Sequence, residues 1–148
     1  MDMINLNLPN ANLKIKLVKG TMQIFDQVRK KYIKLTPEEW VRQNFIYYLN
    51  IYKGYPLALM ELEKIIDYNG MKKRADIVLS SSQGVPKIIV ECKSPNIQIN
   101  QSTFDQVSRY NYNIHVNYLI VTNGIKHFCC KIDYENNSFL FLEEIPDY

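Results

Sequence analysis

Cysteine is scarce in this chain: Cys92, Cys129 and Cys130 are the three among 148 residues. An odd count without C-x-x-C or histidine spacing argues against a disulfide framework and against a zinc site. Each lies in an apolar run and is expected to be a small buried hydrophobe. No segment approaches the roughly 20 apolar residues of a membrane span. The first residues, with Asp2 and four asparagines, lack the basic-then-apolar layout of a signal peptide, so a cytoplasmic protein is expected. Internal repeats and low-complexity tracts are absent, and nothing supports a nucleophilic serine or cysteine. His115 and His127 have no partner visible in the sequence.

What is present suits one domain spanning 1–148. A chain of 148 residues buries roughly 68–70% of its unfolded surface. Hydrophobic residues at 47% and charged residues at 22% are ordinary values for a globular chain, with aromatics raised by eleven tyrosines. The net charge of +3 is unevenly spread. Residues 133–148 hold five acids and no base, leaving 18 bases against 10 acids in the first 132. Clusters Arg29-Lys30-Lys31 and Lys72-Lys73-Arg74 give a positive body able to meet a phosphate backbone, although such runs are more often solvated faces.

Residues 1–12 read as a frayed or loosely packed arm. Leu13, Ile15 and Leu17 alternate with lysines, and after Lys19-Gly20-Thr21 come Met22, Ile24 and Phe25, which predicts a short β-hairpin. Thr36-Pro37-Glu38-Glu39 is a helix start, with Thr36 as N-cap and Glu39 closing a capping box. That helix is expected to run to about Tyr52, with Trp40, Phe45, Tyr48 and Leu49 at helical spacing. Glu39 is most simply a cap, with a helix-borne carboxylate beside a metal as the second reading. From Leu59 to Ser80 a hairpin turns at Asn69-Gly70. Pairing Tyr68 with Met71 then sets Glu63 opposite Asp76. Glu63 is therefore a candidate third acid, or else a surface residue answering Lys72 or Arg74.

Val85 to Lys93 predicts a strand apolar on both faces and hence central in its sheet. Glu91 and Lys93 at its end share one face. A helix over 101–113 places Gln106 and Tyr110 four apart on one side. Strands follow at 117–122 and 126–133, with a turn at Asn123-Gly124, and a last hairpin leads into 139–142. This order predicts an α/β fold, a mixed central β-sheet flanked by helices.

Asp76 and Glu91 on neighbouring strands would converge two carboxylates on one point. A hard cation such as Mg²⁺ takes oxygen ligands and usually keeps waters and substrate phosphate in its remaining positions. Lys93, about 6–7 Å along the strand, can orient a water or neutralise charge developing on phosphorus. Two acids and a lysine so arranged point to metal-dependent phosphodiester chemistry.

The layout Arg74-Ala75-Asp76, Glu91-Cys92-Lys93 and Gln106-x-x-x-Tyr110 resembles the PD-(D/E)-x-K nuclease superfamily, and within it the N-terminal nuclease domain of type I restriction enzyme R subunits. The entry helix Leu-Thr-Pro-Glu-Glu-Trp-Val-Arg-Gln at 35–43 and Val121-Thr122-Asn123-Gly124 also resemble that family. The likeness covers roughly 22–133 as a core, with 1–21 as arm and start of a hairpin and 134–148 as an acidic hairpin or tail. It implies a restriction-endonuclease-like fold and Mg²⁺, with Mn²⁺ as substitute, held by Asp76, Glu91 and the backbone carbonyl of Cys92. It implies Lys93 as the catalytic lysine, with Gln106 and Tyr110 positioning DNA or the site; beside these, Glu63, Glu39 and Arg74 stand as supporting candidates from the reading of the residues. Ala75 stands where the superfamily pattern has proline, which leaves the carboxylates intact. No G-x-x-x-x-G-K-[ST] loop occurs, so cleavage driven by an ATP motor is not expected of these residues.

Three readings result. The first is a metal-dependent nuclease acting on DNA, as endonuclease or exonuclease. The second is a non-catalytic module of the same fold, binding nucleic acid or docking onto a restriction or defence assembly. In the third, Glu91 and Lys93 are merely a strand-end ion pair. The expected partner is nucleic acid, with a homodimer or a larger defence complex left open. The apolar strand Phe139 to Leu142 is a candidate interface.

Overall fold

The structure is a computed structural model, and it describes residues 3–68, 70–109 and 114–148. Alternating residues at the start of the chain build a three-stranded antiparallel sheet of β1 (Ile15–Val18), β2 (Thr21–Asp26) and β3 (Lys31–Lys34). The hairpin read from the sequence thus gains a third strand. It follows the Asp26–Lys30 turn, where Asp26 accepts from the amides of Val28 and Arg29.

The arm before β1 is not frayed. Leu6 and Leu8 pack against the main core, the Asn7 amide donates to the Gly124 carbonyl at 2.8 Å, and the Trp40 indole donates to the Ile4 carbonyl at 3.0 Å. Its polar composition concealed these anchors because they are supplied by distant parts of the chain.

Helix α1 (Pro37–Tyr47) starts as its sequence dictates, the Thr36 hydroxyl accepting from the Glu39 amide. It continues into a wider turn, Tyr48–Tyr52. A short 3-10 turn (Leu57–Leu59) leads into β4 (Met60–Tyr68), followed by β5 (Met71–Ser80) and β6 (Pro86–Cys92). Helix α2 (Gln101–Ser108) follows, capped reciprocally by Asn100 and Thr103. Then come β7 (Tyr118–Thr122), β8 (His127–Asp133) and β9 (Ser138–Leu142). These six strands form one sheet in chain order, antiparallel except for the parallel pair β6–β7, which α2 bridges. Strand β6 is interior, as its two apolar faces required.

Two cores cover the two faces of the sheet. Val41, Phe45 and Ile46 of α1 and Leu49 of the wider turn after it pack with Ile77, Leu79, Ile88, Val90 and Cys92. Val107 of α2 packs with Val78, Ile89, Leu119 and Val121. This is the expected mixed α/β sheet with a helix on either side. All three cysteines are buried and free. Among the described residues no helix is long and apolar enough to cross a membrane.

The β4–β5 hairpin does not keep one face throughout. Leu62 and Ile66 are four apart, as are residues on one side of a regular strand, yet they belong to opposite cores. Ala75 and Val78, three apart, share a core. The alternation slips between them, at the level of Glu63, whose φ of 55° is left-handed and which drops out of the pairing between Leu62↔Ile77 and Lys64↔Ala75. Tyr68 pairs with Met71 as expected, leaving a two-residue connection in which Gly70 has φ 79°. Asn69, the other turn residue, lies outside the described residues.

Candidate active site

Asp76 sits on β5 one step beyond the Ile77↔Val90 pair, so continuing that register sets it level with Glu91 of β6. Its Oδ2 accepts from the Cys92 amide at 2.7 Å, which ties it to the strand that carries Glu91. Glu91 is 8% exposed. Its Oε1 lies 3.4 Å from Lys93 Nζ. Its Oε2 is buried without a hydrogen-bond partner, alone in this among the side-chain polar atoms of the described residues. Beyond Cys92 the chain stays beside β7, since the Lys93 amide donates to the Thr122 carbonyl at 2.8 Å.

Burial is the largest influence on both carboxyls and raises their pKa. Asp76 reaches about 6, the Glu38 charge raising it further while the Cys92 amide, Arg42 and Lys93 pull it down. Glu91 reaches about 8, pushed by burial and by the Asp76 charge, with Lys93 opposing. With both acids ionised, Lys93 is the one cation in contact with Glu91, so the second charge is met only at a distance, by Arg42. A buried carboxylate oxygen with no partner costs free energy unless a proton or a cation meets it.

A divalent cation fits this arrangement. Glu91 Oε2 is free to ligate, Asp76 stands level with it, and a cation would relieve their repulsion. Among the described residues no group of three or more His, Cys, Asp or Glu side chains is gathered closely enough to hold an ion. The fit is therefore to an ion taking few protein ligands, as Mg²⁺ does. The Cys92 side chain belongs to the core, its thiol pushed up by burial, so any part it has at a metal falls to its backbone.

The supporting acids are distributed otherwise than expected. Glu63 does not turn towards Asp76. Its carboxylate is held by Arg29 at 2.9 Å and Arg42 at 3.6 Å, which the left-handed backbone at Glu63 permits. Glu39 does not close a capping box. Buried, it pairs with the Arg42 guanidinium and accepts from the Gln43 amide group at 3.2 Å. An arginine three residues on and a glutamine four residues on reach it more readily than the Thr36 amide does.

Glu38, passed over in the sequence, is the helix acid whose charge is felt at Asp76 and Glu91. The signal was available: Glu38, Val41 and Phe45 follow i, i+3, i+7 spacing, so Glu38 heads the stripe that α1 turns to the sheet. It lines a cleft of about 420 Å³ together with Thr36, Pro37, Glu39, Arg42, Glu63 and Ser94.

Arg74 is exposed on β5, and its charge helps hold the Glu63 carboxyl below its usual range, after Arg29 and Arg42. Gln106 is exposed on α2. Tyr110, its expected companion, lies outside the described residues. His127 has the partners its sequence context hid: Nδ1 is 2.7 Å from Thr122 Oγ1 and Nε2 is 2.8 Å from the Asn7 carbonyl. Asn123 braces the same end of the sheet, donating to the Ile97 carbonyl at 2.8 Å and accepting from the amides of Ile125 and Lys126.

Residues 37–146 match the family described as type I restriction enzyme R protein N terminus. This chain belongs to that family. The R protein N-terminal match begins at the first residue of α1 and takes in the Asp76–Glu91–Lys93 cluster, but leaves out the β1–β3 sheet. The fold is similar to that of a fragment of a putative HsdR subunit of a type I restriction enzyme from Vibrio vulnificus YJ016, with TM-score 0.54 and 20% identity. That likeness covers 76% of this chain and 24% of the other, so the domain spans about a quarter of the HsdR fragment's length. The six-stranded mixed sheet is accordingly restriction-endonuclease-like. No curated protein matches this R protein N-terminal chain.

Proposed function

We propose that this domain is a nuclease hydrolysing DNA phosphodiester bonds with Mg²⁺, or Mn²⁺ in its place, through Asp76, Glu91 and Lys93. The observation that carries the reading is the buried, unpartnered Glu91 Oε2 beside a second raised carboxyl and a lysine. The contact with Lys93 occupies Oε1 alone and leaves Oε2 for a further partner. Asp76, Glu91 and the Cys92 carbonyl would hold the ion, which when bound supplies Lewis-acid polarisation of the phosphate and a water of lowered pKa.

The chain's own residues do the rest. Asp76 is held by the Cys92 amide and so is in place before substrate arrives. Lys93, anchored at its backbone by Thr122, carries the ammonium that neutralises charge developing on the phosphate oxygens. Glu38, which lines the cleft, would serve as a further ligand or as the group that orients a water. Gln106 and Tyr110 would position the DNA, with Arg74 in support. In the setting of a restriction complex, the domain would act with partner subunits or with a second copy.

The test is cleavage of plasmid and single-stranded DNA with Mg²⁺ or Mn²⁺, comparing wild type with Lys93→Ala and with added chelator. Cleavage lost in both controls is the expected result. If wild type neither cleaves nor binds Mg²⁺ by calorimetry, the nuclease reading fails.

A further inference from the structure

The β1–β3 sheet lies outside the residues matched by the family, and it holds the chain's excess of positive charge. Residues 14–34 contain seven bases (Lys14, Lys16, Lys19, Arg29, Lys30, Lys31 and Lys34) and a single acid, Asp26. The remainder, with eleven bases and fourteen acids, is net negative. Asp26 and Glu63 occupy Arg29. No ion pair among the described residues takes any of the six lysines, and all six are exposed.

The sheet sorts these residues by face. Ile15, Ile24 and Ile33 align across the three strands, with Ile24 fully buried. Lys16, Gln23 and Lys34 align in the neighbouring row and so project to the other side. There Lys14 Nζ lies 5.5 Å from the centre of the Phe25 ring and Lys16 Nζ 3.8 Å from that of Tyr32, the two rings meeting edge to face. The aromatic rings hold both ammonium groups in place above an open face. Lys34 is two residues from Thr36, about 7 Å along an extended chain, and Thr36 already lines the cleft that Glu38 enters. Arg29 and Gln27 lock the sheet to that wall through Glu63 and Gln43.

We propose that the Lys14–Lys16–Lys34 face of the N-terminal sheet is a docking surface for the phosphate backbone of a nucleic acid, leading it to the Glu38 side of the cleft. The face offers ordered ammonium groups and no acid, which suits a phosphate chain. It has no element that could enter a groove, so recognition there is of charge and independent of base sequence. The proposal deepens the nuclease reading and rests on it for the direction in which the strand runs.

Binding of a fluorescein-labelled duplex oligonucleotide, followed by anisotropy in EDTA between about 50 and 200 mM salt, tests it without cleavage. Wild type is compared with Lys16→Ala/Lys34→Ala, and with Lys87→Ala/Lys131→Ala, two exposed lysines on the main sheet. Losing two phosphate contacts should reduce the slope of log K against log salt by about 1.8, with several-fold weaker binding at low salt. The Lys87/Lys131 variant should retain the wild-type slope. Equal changes in the two variants, an unchanged slope in the first, or no binding by wild type overturns the proposal. The Lys93→Ala cleavage assay is read separately. Slope loss in a wild type that neither cleaves nor binds Mg²⁺ leaves the docking face standing and removes the nuclease reading; cleavage with an unchanged slope does the reverse.

Discussion

The Cys92 amide donates to Asp76 Oδ2, so the strand that carries Glu91 also holds the carboxylate opposite it in place. Two acids that repel one another are thereby fixed as neighbours, and the consequences can be measured.

The pair opposes folding of the ion-free protein when ionised. Both carboxyls have pKa values raised above their ordinary ones, Asp76 to about 6 and Glu91 to about 8. A raised acid favours the native state while protonated, and that advantage disappears as pH climbs from the unfolded to the folded value. Thermal stability in EDTA should therefore fall between pH 5 and pH 8. Glu91→Gln should raise Tm at pH 8, by about 2–8 °C for each kcal/mol relieved, while abolishing Mg²⁺ binding and cleavage. Melting curves in EDTA and in Mg²⁺ check this, and a variant less stable than wild type at pH 8 would refute it.

Arg42 is 6% exposed and bridges Glu39 and Glu63. Arg42→Ala leaves Glu39 buried without a cation, with only Gln43 donating to it, and should cost about 3–5 kcal/mol. Glu39→Gln combined with Arg42→Met removes both charges and should cost clearly less than the single truncation. Urea denaturation of the two variants measures the difference.

Asp26 is fully buried and its carboxyl is held below the usual range by the Arg29 guanidinium and by backbone amides, against the opposing effect of burial. For an acid of lowered pKa, stabilisation is complete above the unfolded value and is lost as pH falls through the folded one. Asp26→Asn should cost about 1.5–3 kcal/mol at pH 7. The gap from wild type should narrow below about pH 4, as unfolding curves at both pH values will record.

Gly124 has φ 85°, and a Cβ there would come within 2.7 Å of Leu6 and 3.2 Å of Val41. Gly124→Ala should cost more than about 1 kcal/mol and loosen the arm at its anchor. Faster hydrogen exchange of the Asn7 amide, which donates to the Gly124 carbonyl, is the local readout.

Legibility followed the range over which each signal acts. Thr36-Pro37 marked the start of α1, and Tyr68↔Met71 fixed the hairpin register, because caps and turns are local. The register even set Glu63 level with Asp76, yet the two diverged because a left-handed residue breaks the alternation on which face assignments depend. Glu39 was misread since its buried partner Arg42 looked, in sequence, like any surface arginine. Glu38 needed only the stripe Val41–Phe45 extended one turn back. The anchoring of the arm, through Leu6, Asn7 and Trp40, is wholly non-local and left no trace in its composition.

The chain order of the main sheet has a kinetic consequence. Asp76 and Glu91 are supplied by one local antiparallel hairpin, β5–β6, closed by a short turn, with Lys93 one residue beyond it. The parallel partner β7 returns only after α2 has crossed the sheet, and such distant pairings close slowly. Glu91 pairs across that crossover with Val121 and the Lys93 amide donates to Thr122, so the charged cluster is completed only when β7 docks. Folding rate should then depend on the protonation or cation loading of Glu91, whose own strand the slow crossover has to find.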